Sequence, residues 1–125
     1  MALVGSGVPT HLGGLEALPP LVARTIDRFG RLDIVVNNAA TPLTMPLGTF
    51  APDGIRVNAL APGSIDTDMM RANALEAQAR MAASSLQGRA ASPDEMVGPA
   101  LFLASDAASF VTGQVVIADG GLVPH

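Results

Sequence analysis

Strand-like and helix-like patterns take turns along this sequence. Leu32–Val36, Ile55–Leu60 and Gln114–Ile117 are short apolar runs rich in β-branched residues. Such runs suit parallel strands covered on both faces. A helix pattern precedes the first run, and two more separate the second from the third. Alternation of this kind implies an α/β sandwich built around a mainly parallel sheet.

The helix boundaries are marked by their own chemistry. Pro20–Phe29 places Leu21, Val22, Ile26 and Phe29 on one face, with proline in the first turn, where a missing N–H costs nothing. Gly30 fits the left-handed position that closes a helix. Asp66-Thr67-Asp68 offers side-chain oxygens to the free N–H groups of a helix start, and the Ala-rich stretch Met69–Leu86 reads as its body. Ser92-Pro93-Asp94-Glu95 has the spacing of a capping box ahead of the apolar positions Met96, Val97, Ala100, Leu101 and Leu103. Ala39–Asp53 carries three prolines and admits no long helix. Ala2-Leu3-Val4 reads equally well as a short strand or as a frayed start.

The chain has 125 residues, and the expectation is one domain spanning 1–125. Hydrophobic residues make up 49% and charged residues only 14%, too apolar for a disordered chain. That balance is also hard for one small monomer to hide, so self-association is expected. The seven cations are all arginine and are scattered, and the net charge is −4, which disfavours nucleic acid as a partner. There is no cysteine, and the only histidines are His11 and His125, so neither disulfides nor a metal site is expected. No stretch has the length of a membrane span and no leader peptide is evident, so a cytoplasmic location is expected.

Three segments resemble the short-chain dehydrogenases/reductases. The first is Arg28-Phe29-Gly30-Arg31-Leu32-Asp33-Ile34-Val35-Val36-Asn37-Asn38-Ala39-Ala40. The second runs from Pro52-Asp53-Gly54-Ile55-Arg56-Val57-Asn58 through Pro62-Gly63 to Thr67. The third joins Ser92–Asp106, Phe110-Val111-Thr112-Gly113-Gln114 and Asp119-Gly120-Gly121. They occur in the family's order and cover most of the chain from Leu21 onward. The resemblance implies a reduced Rossmann-like three-layer sandwich with a small, mainly parallel sheet. That sheet has three strands, or four if Ala2–Val4 joins.

The departures from the family pattern matter as much as the matches. The resemblance implies a Gly-rich phosphate-binding turn near the start, and Gly5-Ser6-Gly7 lacks its spacing. It also implies, between Asn38 and Pro52, a strand bearing a catalytic serine and a helix bearing a Tyr-x-x-x-Lys pair. The chain contains no tyrosine and no lysine. Ordinary NAD(P)-dependent reduction by its own side chains is therefore not expected, and no residue is assigned as catalytic. The shortened connection can still close. About fifteen extended residues reach roughly 50 Å, while a return along a neighbouring strand needs about 20 Å. The first strand would then pair directly with the second.

The resemblance places Asn37, Ala39, Pro62, Gly63, Ile65 and Thr67 at a cofactor, with NAD(P) as the group and its binding left open. The plainer reading is that the Asn37-Asn38 side chains tie strands together and that Pro62–Thr67 keeps inherited loop geometry. His11 sits among loop formers, Gly5 and Gly7 are common loop residues, and Asp66 and Asp68 read more readily as helix-start residues than as paired acid and base. The last strand and the helix before it are the expected homo-oligomer surface, through Val115, Val116, Ile117, Met96 and Leu101. Docking on a full-length relative by the same surface is the alternative.

Overall fold

A computed structural model describes residues 18–37 and 51–123. The possible strand Ala2–Val4, the Gly5-Ser6-Gly7 turn, His11, Asn38, Ala39, the connection up to Phe50 and His125 lie outside the described residues. The chain divides into two compact units, Met1–Asp33 and Ile34–His125.

In the first unit, α1 spans Leu18–Phe29 and so begins two residues before the expected start. Both Pro19 and Pro20 fall in its first turn. Gly30 ends it as expected, at φ 78° and with its N–H donating to the Ile26 carbonyl at 2.7 Å. Arg28 stacks its guanidinium over the Phe29 ring, and Arg31 pairs with Asp33.

The second unit holds the sheet. Its strands are β1 (Ile34–Asn37), β2 (Arg56–Pro62) and β3 (Val115–Ala118). All pair in parallel in the order β1-β2-β3. The expected direct pairing is present: Val35 lies opposite Val57 and Asn37 opposite Ala59. On the other side Ala59 faces Val115 and Ala61 faces Ile117. The expected α/β class with a small parallel sheet is thus what forms. The strand limits shift by one or two residues. Pro62 is the last residue of β2, and the Gly63 N–H continues the ladder to the Ala118 carbonyl at 3.1 Å.

One expectation fails in part. Met69–Leu86 is not one helix but two, α2 (Asp68–Arg71) and α3 (Leu75–Ala83). The break has a local cause. The Asn73 amide donates to the Met69 and Met70 carbonyls at 2.9 and 3.1 Å, satisfying the end of α2 from outside the helix. The Gln78 amide then reaches back to the Arg71 and Asn73 carbonyls. Short polar side chains compete with the helix ladder in this way. The next helix opens as a single 3-10 turn, Pro93–Met96, and continues as α4, Val97–Leu103.

The buried core of the described residues is small: Val57, Leu60, Leu103 and Ala108, together with Asn58 and Ser85. Asn58 is fully buried between the apolar residues Val57 and Ala59 of β2. Its amide donates to the Val111 carbonyl at 2.9 Å, and its side-chain oxygen accepts from the Gln114 N–H at 3.1 Å. Thr112 accepts from the Val57 N–H, and the Gly113 N–H donates to the Val57 carbonyl. With the Ala59 N–H donating to the Gln114 carbonyl at 2.8 Å, the turn that delivers β3 is fixed to β2 by five hydrogen bonds. Arg56 adds two more, to the Leu103 and Ser105 carbonyls, and ties the end of α4 to the start of β2.

Candidate functional site

In open parallel sheets, ligands are held outside the carboxyl ends of the strands. Here β2 and β3 run side by side to Pro62 and Ala118, and the segments that leave them are pinned from several directions. After Gly63 the chain passes beside Ala91. The Ala91 N–H donates to the Ser64 carbonyl and the Asp66 N–H donates to the Ala91 carbonyl, which makes Ile65 and Ala91 an isolated parallel bridge. The Ser64 hydroxyl donates to the Met81 carbonyl at 3.0 Å. Thr67 is the N-cap of α2, accepting from the Met70 N–H at 3.4 Å.

Asp66 and Asp68 do not act as a pair of acid and base. Arg71 grips Asp66 through two hydrogen bonds of 2.8 and 3.0 Å and lies 3.8 Å from Asp68. The hydrogen bond from Arg71 is the main reason the Asp66 carboxyl lies below the usual carboxylate range. Both stand at the start of α2, where the helix N-terminus favours acidic side chains.

Between these segments lies a cavity of about 200 Å³ lined by Ser64, Gln87, Arg89, Glu95, Met96 and Asp119, among others. Its charges are spoken for. Arg89 binds both Glu95 oxygens, at 2.8 and 2.7 Å, and also the Gln87 side chain at 3.0 Å. Glu95 in turn accepts from the Ser92 N–H at 2.8 Å, as the capping-box spacing led one to expect. The Arg89 hydrogen bonds first and the Ser92 N–H second bring the Glu95 carboxyl down to about 2.

Of the candidate cofactor residues, the structure brings Pro62, Gly63, Ile65 and Thr67 together after β2 and sets Asn37 at the end of β1, one strand away. Ala39 lies outside the described residues. Gly63 is needed for a reason the sequence did not disclose. A Cβ there would lie 2.6 Å from the Asp119 Cα and 2.8 Å from its carbonyl oxygen. The space beside Gly63 is thus filled by the chain itself. Thr67 is used as a cap, and no buried side-chain N or O among the described residues lacks a partner. The resemblance implies NAD(P) over Pro62–Thr67, and within the chain this segment is held by the Ala91 backbone, the Ser64 hydroxyl and the Thr67 cap.

Two residues that hold the sheet carry weaker sequence signals. Asn58 stands in an apolar run, where a lone amide is itself a signal of an internal hydrogen-bonding role. Asp119 stands in the third family-like segment, and no local pattern marks its contact with Gly63. Of the expected association residues, Val115, Ile117 and Leu101 are exposed, Val116 is half-buried, and Met96 is half-buried and lines the cavity.

A parallel α/β sheet with its binding end at the carboxyl termini defines the class as Rossmann-like. The chain belongs to the short-chain dehydrogenase/reductase family. A family model described as enoyl-(acyl carrier protein) reductase matches residues 48–123. The 2-dehydro-3-deoxy-D-gluconate 5-dehydrogenase of Pseudoalteromonas atlantica is 49% identical over 116 residues, covering 90% of this chain and 40% of that protein. The L-rhamnose 1-dehydrogenase (NAD(P)(+)) of Azotobacter vinelandii is 47% identical over 123 residues, again 97% of this chain but 40% of the relative. A solved structure of 4-hydroxyisoleucine dehydrogenase complexed with NADH superposes with a TM-score of 0.67 at 25% identity, covering 89% of this chain and 56% of the other. The chain spans about two-fifths of the length of these two curated relatives.

Proposed function

We propose that this chain keeps the scaffold and the association surface of its family and does not carry out ordinary NAD(P)-dependent carbonyl reduction with its own side chains. The observation that carries this reading is the absence of any tyrosine or lysine in the 125 residues. Reduction of a carbonyl needs a proton at oxygen as hydride reaches carbon, and a positioned acid must supply it. The family pattern assigns that proton to a tyrosine whose pKa a lysine lowers. Near Pro62–Thr67 the described acids include Asp66 and Asp119. Asp66 is held anionic by Arg71, and Asp119 is held anionic by backbone N–H groups. Neither is suited to donate a proton at neutral pH. The direct pairing of β1 with β2 supports the same reading, because the family's serine-bearing strand would stand between them.

The working part of the chain on this reading is the outer side of β3 with α4, in a homo-oligomer. β3 is an edge of the described sheet, and Val115, Ile117, Val97 and Leu101 are all exposed large apolar residues. An apolar strand edge invites pairing with another chain. The test is the solution mass by light scattering. A dimer or larger assembly is expected, and Val115→Asp should reduce it to a monomer with unchanged far-UV circular dichroism. Val115 is a better probe than Val116, because a charge at the half-buried Val116 would also damage the sheet. A wild-type chain that stays monomeric at high concentration sinks the reading.

A second reading is favoured by the relatives named for NAD(P)(+) and crystallised with NADH: a chain that still binds the nucleotide with weak or altered activity. The chain has no Trp or Tyr, so NADH emission can be titrated with little protein background. Saturable binding would favour this reading over the first.

A further inference from the structure

The segment after β3 is fastened at several points. Asp119 turns its carboxylate back onto its own backbone. One oxygen accepts from the Gly121 N–H at 2.8 Å and the other from the Val123 N–H at 2.9 Å. Gly120 and Gly121 both take positive φ, 65° and 86°, which aims the chain across the turn that follows α3. There the Gly120 carbonyl accepts from the Gln87 N–H at 3.2 Å. A Cβ on Gly121 would fall 2.8 Å from the Leu86 side chain, and one on Gly120 would fall 3.2 Å from Ser85. On the opposite side, Asp119 fills the space beside Gly63 and the Gly63 N–H binds the Ala118 carbonyl.

We propose that Asp119–Val123 is a strap, latched by the Asp119 carboxylate, that sets the position of both the Gly63–Thr67 segment and the Ser85–Gln87 turn. Asp119 is then a positioning residue. It touches no ligand in this argument and acts through Gly63, where β2 hands over to the candidate cofactor segment. The strap also forms one wall of the cavity that holds Ser64, Gln87 and Arg89. Its meaning for ligand binding rests on Pro62–Thr67 facing a ligand. Its existence does not, and the test reads backbone protection alone.

The experiment is amide hydrogen exchange, resolved by residue, on wild type, Asp119→Ala, Asp119→Asn and Gly63→Ala. Asp119→Ala should speed exchange at Gly121 and Val123 at least about tenfold, as expected for loss of charge-assisted hydrogen bonds. Gln87 should accelerate with them. Asp119→Asn keeps one acceptor oxygen and should fall between the two, which serves if the alanine variant does not fold. Gly63→Ala is the long-range arm: its methyl displaces Asp119, so Gly121, Val123 and Gln87 should lose protection although they are remote in sequence. Val57 and Ala59, bound to Thr112 and Gln114, are the references and should change by less than about twofold. Unchanged exchange at Gly121 and Val123 in Gly63→Ala overturns the coupling. Equal acceleration at the reference amides also overturns it, since the strap would then be only part of the global unit. Neither result depends on the oligomer or on NADH.

Discussion

Replacing Asn58 by alanine removes a fully buried side chain that ties the β3 turn to the centre of the sheet from within. Asn58 is 0% exposed, and its two hydrogen bonds, at 2.9 and 3.1 Å, engage the Val111 carbonyl and the Gln114 N–H. Alanine leaves both backbone groups without that partner and opens a small void. A buried polar group stripped of its partner costs about 1–3 kcal/mol, so the pair is worth roughly 2–4 kcal/mol, allowing for partial relaxation. That is a large share of the 5–15 kcal/mol typical of a domain, and the small core here points to the low end.

The assay is urea unfolding followed by far-UV circular dichroism, because the chain has no Trp or Tyr to report by fluorescence. Protein concentration must be held fixed, since association adds to apparent stability. Asn58→Asp sharpens the test. One carboxylate oxygen can still accept from Gln114, but the other faces the Val111 carbonyl, and burial further penalises the charge. Its folded-state pKa should rise above the unfolded value near 3.9, because only the protonated acid can donate to Val111. Protonation then favours the folded state, so the variant should be nearest to wild type at about pH 4 and lose stability as pH rises through the folded-state pKa. An alanine variant within about 0.5 kcal/mol of wild type, or an aspartate variant more stable at pH 7 than at pH 5, refutes the keystone role.

The remaining predictions are smaller in scale. Glu95 has its pKa lowered from 4.5 to about 2 by Arg89 and the Ser92 N–H, so its contribution is complete above about pH 4.5 and fades as pH falls toward 2. Glu95→Gln should flatten that part of the stability curve, and an unchanged acid midpoint would argue against the pair. Raised salt should weaken the same effect, because the groups are solvent-exposed. Asn73→Ala should raise helical ellipticity at 222 nm by letting α2 run into α3; a fall would mean that the break is imposed by packing. Gly30→Ala forces a side chain into a backbone at φ 78° and should destabilise α1 by about 1 kcal/mol, read as faster amide exchange in Thr25–Phe29.

The elements most legible in the sequence were those specified locally. Gly30 ended a helix because only glycine sits easily at that backbone angle, and Ser92 and Glu95 announced a helix start through their spacing. The three strands were visible because β-branched runs bounded by Gly and Pro have few alternatives. Two other features are less legible, one for a local reason and one for a distant one. Asn73 broke a helix that alanine content favours, because its amide competes for the Met69 and Met70 carbonyls. Resemblance places Gly63 at a cofactor, and its lack of a side chain is also demanded by Asp119, which no local pattern reveals.

The same contrast bears on what the contracted sheet leaves behind. A parallel sheet gathers its binding residues where strand ends lie side by side, so removing a strand changes which ends are neighbours without altering the local sequence of any of them. Asn37 now stands in register with Ala59, directly beside the strand that ends in Pro62. Strands are spaced about 4.8 Å apart, so Asn37 and Pro62 are nearer by about one such step than a strand between them would allow. On the far side, Ala118 and Asp119 press against Gly63. The family motifs persist as sequence, and apolar residues of β3 and α4 are among those exposed around this arrangement. Local motifs record ancestry; the strand order decides which of them still meet.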